Sequence, residues 1–345
     1  MTASAPDNQF ATTVSYPRED PAYRLRAKLI EMPKYGYFKK DSIREQFQIF
    51  KNIIKTASAG EKALLLFSSR GSLKPELMAI VWMSFWPQSR RPAITLVGDM
   101  WEPDSGLKLV VEKILIRLAD RAIQRYVVYS SAELKIFPEN WSTSPHKMRF
   151  VEYIPTIHLE KIDPNWVIPG DAIFSGGNPF RDYDSLIETA KRMPDRKFII
   201  ATRLLDNRTD LPENVRAGSV PPEEFNQLLC GAGAVIVPMQ TGLRRSVGHQ
   251  TYLNAMLLGK PVVVNDVHGV RDHIRDHKTG LIVDGSPESY YKAIQEIFDP
   301  NNQNAIQKMC ANACDDAKNR FTIQNHAAKL MRYVDEAIAE RYTHS

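Results

Sequence analysis

Short apolar runs recur along this chain, most of them bounded by glycine, proline or asparagine, and stretches of helix length separate them. Val262-Val263-Val264 is the clearest: Pro261 leads into it and Asn265-Asp266 ends it. β-Branched residues suit the crowded surface of a sheet. A run with no polar alternation has no face to show to water, so it must be covered on both sides. Residues 63–68, 93–98 and 126–130 read the same way, as do 172–175, 197–202, 234–238 and 280–283, and 148–154 reads as a further strand, interrupted by Arg149 and Glu152. Strands of this kind joined by helices leave few solutions, and the expected class is α/β, with parallel sheets flanked by helices.

The intervening segments carry helix signals. Asp41-Ser42 is placed to cap a helix over 43–57, with Ile43, Phe47, Phe50 and Ile54 along one face. Pro75 opens a helix ending near Trp86-Pro87. Residues 107–125 read as one long amphipathic helix. Leu107, Val110, Ile114, Leu118 and Ala122 form its apolar stripe, expected to pack on the core, while Lys113, Arg117, Arg121 and Arg125 recur every fourth residue. A basic amphipathic helix can also lie on a membrane. Residues 1–22 are polar and aperiodic, as in a tail, and an early helix is expected within 23–32. Three prolines in 155–170 mark a linker between domains over 23–160, an abbreviated one, and 161–322; residues 323–345 form a terminal helix.

Charge and cysteine content narrow the function classes. Residues 1–160 hold 23 Lys/Arg against 17 Asp/Glu, a net +6, and the remainder 22 against 23, a net −1. A basic first half suits an anionic acceptor or an anionic membrane surface, although an excess this small is also ordinary solvated surface. Nucleic acid is not expected, since no zinc-finger spacing, aromatic RNA-binding run or long basic tract is present. Three cysteines fit a reducing compartment rather than a disulfide framework. Cys310 and Cys314 share a helix face without a second ligand pair, so a metal site is not expected there. No signal peptide or membrane-length apolar run is visible, which points to the cytoplasm, with at most peripheral contact at the inner membrane face.

The stretch 246–266 is the best candidate for binding: a glycine-bearing loop, a short helix, a turn and the buried run. A loop that opens into a helix presents free N–H groups and the positive end of a dipole, a seat for an anion such as a diphosphate. The stretch resembles the donor-binding segment of family 4 glycosyltransferases of the GT-B fold, through Leu253, Ala255, Met256, Gly259, Pro261, Val262 and Val263. Gly248 matches the family's loop glycines one position out of register. Gly269 to Ile274, Thr279 to Val283, and Phe174 to Gly177 followed by Arg181-Asp182-Tyr183 carry it further. The likeness covers the second half well and the first half loosely. It implies two Rossmann-like domains facing a central cleft, the terminal helix crossing back, and retaining transfer from a nucleotide-diphosphate sugar to a glycan, lipid-linked or small-molecule acceptor, with no cofactor and no metal.

The resemblance also distributes roles. Arg181 stands at the position of the family's diphosphate-binding lysine, and a guanidinium can hold a diphosphate bidentately. Arg244 and Arg245 precede the central loop and would stabilise the leaving group with Arg181. Gly176 and Gly177 allow close approach of backbone to ligand. Arg203, Ser246, Gly248, His249, Gln250 and Thr251 are placed to bind the donor, and Val220 heads a turn whose backbone would read the base. Two family glutamates eight positions apart are replaced by Ser246 and Asn254, which leaves weaker hydrogen bonds to sugar and ribose. In the first domain Gly98 replaces a histidine, and Asp99 remains as the carboxylate that would orient the acceptor hydroxyl or take its proton. Asp182-Tyr183-Asp184, the only D-x-D, falls at a helix start and reads as a cap. Two other readings stay open: a non-catalytic glycosyltransferase-like protein, suggested by the replaced residues, and a sugar-nucleotide epimerase.

Overall fold

The computed structural model describes residues 9–32, 43–68, 74–98, 101–167 and 170–343. The chain divides into two compact units, residues 1–151 with 323–345, and residues 152–322.

The first unit contains β1 (Phe10–Thr12), α1 (Pro21–Arg26), β2 (Ala27–Leu29), α2 (Ile43–Ser58), β3 (Ala63–Phe67), α3 (Pro75–Met83), β4 (Ala93–Val97), α4 (Gly106–Asp120), β5 (Ile123–Val128), α5 (Glu133–Trp141) and β6 (Met148–Phe150). Its six strands are parallel, in the order β2-β1-β3-β4-β5-β6. Leu64, Leu66, Ile94 and Leu96 meet Ile49, Ile53, Leu77, Ile80 and Ile116 in one core. Part of the expected tail is thus central sheet. Phe10, Ala11 and Thr12 are buried, and the Thr12 hydroxyl donates to Leu65 O at 2.7 Å. Three residues are too few to show a period. With β1 and β2 the sheet has six strands, so the domain is not short of the strands that the sequence left out.

Three helix expectations change. The early helix expected within 23–32 ends at Arg26, and Ala27–Leu29 is the strand β2. The segment 107–125 is not one helix: α4 stops at Asp120, and Arg125 sits in β5, buried and paired with Glu336 and Glu340. The apolar stripe expected on this segment meets the core only at its end. Leu107, Val110 and Ile114 are exposed, Leu118 packs partly against the core and Ala122, after the helix, is buried, while Ile116 and Ala119 supply the buried contacts of α4. On α2, likewise, Ile43 and Phe47 are exposed while Ile49 and Ile53 are buried. The expected cap Asp41-Ser42 lies outside the described residues.

The second unit contains β7 (Ile173–Gly176), α6 (Tyr183–Lys191), β8 (Phe198–Ala201), β9 (Val215–Gly218), α7 (Pro222–Gly231), β10 (Ala234–Val237), α8 (His249–Leu257), β11 (Val262–Asn265), α9 (Val270–His273), β12 (Leu281–Val283), α10 (Pro287–Phe298) and α11 (Gln303–Asn319). All its strands are parallel, ordered β9-β8-β7-β10-β11-β12. Successive strand residues go to opposite faces. Ile173, Ile236 and Val263 join Leu186, Ile187 and Ile294 in one core, while Phe174, Val235, Val262 and Val264 join Leu253, Met256 and Ala313 in another. Both faces are therefore covered, as the unbroken apolar runs require. Residues 155–170, read as a linker, lie within this unit, and Thr156 and Ile157 donate their N–H groups to Asn254 Oδ1 at 2.7 and 3.1 Å.

The last helix, α12 (Ile323–Thr343), crosses back to the first unit and packs on β3, β4 and β5. Its Glu336 accepts from Arg125 and Arg149, and its Tyr333 hydroxyl donates to Phe150 O at 2.8 Å.

Candidate active site

In the second sheet the chain leaves β7 toward β8 and β9 on one side and returns to its other side for β10 onward. The loops after β7 and β10 therefore part around a crevice at the C-terminal ends of the strands, where open α/β sheets take ligands. Both loops are pinned at that point. Arg181 forms a backbone bridge with Met239, Asp182 N donates to Pro238 O at 3.0 Å, and Gln240 N donates to Phe180 O at 3.0 Å. Asn265, at the end of β11, fixes the second loop. Its Oδ1 accepts from Met239 N at 2.7 Å and its Nδ2 donates to Met239 O at 2.9 Å.

Arg181 lies buried in this crevice, 7% exposed. Nε donates to Gly176 O at 3.2 Å, Nη1 to Pro179 O at 3.1 Å and to Met239 Sδ at 3.0 Å, and Nη2 to Thr251 Oγ1 at 3.3 Å. Every one of these acceptors is neutral. Burial pulls its pKa below the usual arginine value, with Tyr183 acting in the opposite sense. A buried cation with no carboxylate beside it is costly and attracts an anion. Gly177 makes room for it: φ is +110°, and a Cβ there would stand 2.8 Å from Nη2. Gly176 serves a different neighbour, since its Cβ would fall 2.4 Å from the Phe225 ring. Four of the five guanidinium N–H groups are already used, so the bidentate fork expected from the sequence is not free in this arrangement.

The N-terminus of α8 is the second positive feature. Gly248 caps it at φ +86°, a left-handed conformation that favours glycine, and no side chain caps the first turn. Thr251 in that turn is the residue that accepts from Arg181, so guanidinium and helix N-terminus are neighbours. Gln250 is exposed in the same turn. His249 is buried among Tyr153, His273 and Tyr252, with ring centroids 5.7, 5.2 and 5.8 Å away. Its Nε2 has no hydrogen-bond partner, and burial, then His273, Arg245 and Arg181, hold its pKa well below the ordinary histidine value. The imidazole is neutral near pH 7.

The other candidates are spread around this point. Arg244 is exposed, whereas Arg245 is buried, 5.7 Å from the Phe180 ring centroid, with Nε donating to Ser246 O at 3.3 Å. The two adjacent arginines thus point to different environments. Ser246 is buried. Arg203 is exposed in a single 3-10 turn after β8, and its N–H donates to Asn178 Oδ1 at 2.9 Å. Val220 is half-buried in the turn before α7, where Asp206 accepts from both Ser219 N and Ser219 Oγ. Asn254 is buried, its Oδ1 takes two backbone N–H groups, and Nδ2 donates to Thr156 Oγ1 at 3.3 Å. In this arrangement its amide fastens chain. Asp99 lies outside the described residues.

Asp182 caps α6, accepting from Ser185 N and Oγ at 3.3 and 2.6 Å, and Asp184 pairs with Arg208. Among the described residues no cluster of three or more His, Cys, Asp or Glu is arranged to hold a metal, and no helix is long and apolar enough to cross a membrane. Sequence reasoning missed Asn178, Asn265 and Tyr183, whose hydroxyl donates to Gly177 O at 2.6 Å. The only signal for the two asparagines was position, Asn178 just after the glycine turn that ends β7 and Asn265 as the last residue of β11.

Residues 181–299 match the family Glycosyl transferases group 1. The matched segment opens on Arg181 and includes α8. No curated protein matches the chain. Among solved structures, Anabaena Alr3699/HepE in complex with UDP is 15% identical, with a TM-score of 0.70 over 95% of this chain and 99% of that one. A glycosyltransferase from Rickettsia africae ESF-5 is 12% identical, with a TM-score of 0.63 over 97% and 90%. Sucrose-phosphate synthase from Thermosynechococcus elongatus is 13% identical, with a TM-score of 0.61 over 91% and 84%. Such identities speak to the fold, and the fold is GT-B.

Proposed function

We propose that the protein transfers a sugar from a nucleotide-diphosphate donor to an acceptor hydroxyl on a glycan, a lipid-linked saccharide or a small molecule, with retention and without a metal. The observation that carries this reading is Arg181, a buried guanidinium with only neutral partners, set beside the uncapped N-terminus of α8 at the switch point of a parallel sheet. That is a site for an anion, and the positive charge it supplies grows in value as a diphosphate departs. The family matched over residues 181–299 and the UDP and UDP-glucose held by HepE give the anion its proposed identity. Arg245, on the same loop as α8, would add to the field, and the exposed Arg203 and Gln250 would contact the donor. Asp99 would orient the acceptor hydroxyl.

The test is a panel of nucleotide sugars followed by release of nucleotide diphosphate, with the anomeric configuration of the product read by NMR. Turnover with retention that survives EDTA supports the proposal. Inversion, or activity restored to a chelated sample only by manganese or magnesium, removes the corresponding part. A second reading, donor binding without turnover, is favoured by Asn254, whose amide is committed to the backbone at a position where the family commonly has a donor-binding glutamate. Binding of donor with no release of nucleotide diphosphate from any donor would establish it.

A further inference from the structure

The three helices α2, α3 and α4 lie side by side in the first unit, α3 between the other two. Each turns an apolar stripe outward, and the stripes have helical spacing. On α2 it is Ile43 and Phe47, on α3 and the turn after it Met78, Trp82 and Phe85, and on α4 Leu107, Val110, Val111 and Ile114. The exposures are large, 71% at Ile43, 57% at Trp82, 67% at Phe85 and 79% at Leu107. Single exposed apolar residues need no explanation, but exposed stripes on three neighbouring helices mark an interaction surface.

The charges on the same helices identify its partner. Every exposed charged residue of α2, α3 and α4 is basic: Arg44, Lys51, Lys55, Lys108, Lys113 and Arg117. Their acidic residues are buried or half-buried, and Glu112 is paired with Lys74. Asp104, just before α4, is exposed and reaches Lys108 only at 4.0 Å. Lys51 Nζ lies 4.8 Å from the centre of the Phe47 ring, so cation and aromatic ring share one place. A second copy of this face would set like charges against each other, and a neutral apolar partner would leave the cations unanswered. A plane that is apolar beneath and anionic at its surface answers both. Tryptophan and phenylalanine suit its interfacial depth.

We propose that the outward face of α2, α3 and α4 docks on an anionic lipid bilayer, lying on it rather than crossing it. This surface is separate from the crevice around Arg181, and its test does not depend on transfer activity. The full chain is sedimented with vesicles of phosphatidylcholine alone, and of phosphatidylcholine mixed with phosphatidylglycerol, at low and high salt. The parent should bind the mixed vesicles, weakly or not at all the neutral ones, and less as salt rises. Loss of one basic residue near the surface costs roughly five-fold in partitioning, so Lys113→Glu with Arg117→Glu should lower it by at least about 25-fold. Leu107→Ser with Ile114→Ser, also at exposed positions, should lower binding while keeping the salt dependence. Circular dichroism and nucleotide binding should be unchanged in both. A parent that does not sediment with anionic vesicles at low salt overturns the proposal, as does a charge-reversed variant that binds like the parent. A parent dimer that the Leu107/Ile114 substitutions dissociate would give the face to a second copy instead.

Discussion

Replacing Arg181 with methionine separates the two things this side chain does. In the free protein it is a buried charge with neutral partners; toward a diphosphate it is a counter-ion. Of its five N–H groups, Gly176 O, Pro179 O, Met239 Sδ and Thr251 Oγ1 take four, which leaves one on Nη2 for a ligand. One charge-assisted hydrogen bond is worth about 1.5–3 kcal/mol. The variant should therefore bind a nucleotide diphosphate roughly 10- to 150-fold more weakly, and bind the matching nucleoside nearly as well as the parent. Stability should move little. Removing an uncompensated buried charge is favourable, while each carbonyl left without its donor costs about 1–3 kcal/mol. The assay is calorimetric titration with whichever of UDP, ADP, GDP or dTDP raises the melting temperature of the parent most, paired with its nucleoside. Equal losses for nucleotide and nucleoside would refute the diphosphate role. A loss beyond roughly 1,000-fold, about 4 kcal/mol, would refute the single-bond geometry, because it requires the fork to leave Thr251 and grip bidentately.

Three further outcomes follow from the same geometry. Gly177→Ala places a Cβ 2.8 Å from Arg181 Nη2 at φ +110°, so diphosphate affinity should fall as in the Arg181 variant, with about 1–2 kcal/mol of added backbone strain visible in urea unfolding. Asn254→Ala leaves the N–H groups of Thr156 and Ile157 unpaired and should cost about 1–3 kcal/mol of stability with nucleotide affinity unchanged; lost affinity at full stability would return Asn254 to the ribose. His249 and His273 are both buried with depressed pKa values, burial being the main cause, so on acidification the unfolded chain protonates before the folded one does. Stability should be level above the ordinary histidine pKa of about 6.5 and fall below it, by up to about 1.4 kcal/mol per pH unit for each histidine, and His249→Gln should make the fall shallower in denaturant melts at successive pH values.

The sheets were legible where burial on both faces left a long enough mark. Val262-Val263-Val264 and Ala234 to Val237 carry their assignment in composition alone, and the parallel order follows from the helices between them. β1 and β9 were not legible, because Phe10-Ala11-Thr12 is too short for a pattern and Val215-Arg216-Ala217-Gly218 has a charged residue and a glycine in four positions. Their places in the sheets come from pairing partners distant in sequence, Leu64 and Leu65 for β1, Phe198 to Ala201 for β9. At the crevice, glycines and Arg181 were visible as residue types at a recognisable spacing. Their division of labour was not, since only the folded loop shows that Gly177 clears space for a guanidinium while Gly176 clears it for Phe225.

The helices of the first unit show a further limit of periodicity. A hydrophobic period of 3.6 says that a helix has an apolar stripe, and the usual inference is that the stripe is the core face. On α4 there are two apolar sets, the exposed Leu107, Val110, Val111 and Ile114 on one side, with the half-buried Leu118 at its end, and Leu109, Leu115, Ile116 and Ala119 on another. The second set meets the sheet and its neighbours, since Ile116 and Ala119 are buried and Leu109 and Leu115 pack partly against the core. A helix layered on a parallel sheet needs one such face, so the first set is surplus to folding. Surplus apolar surface lowers solubility and gains nothing for the fold, and it persists here on three adjacent helices whose exposed charges all have one sign. The proposed lipid contact would account for the exposed part of this stripe, and the sign of its rim is the one that an anionic surface requires.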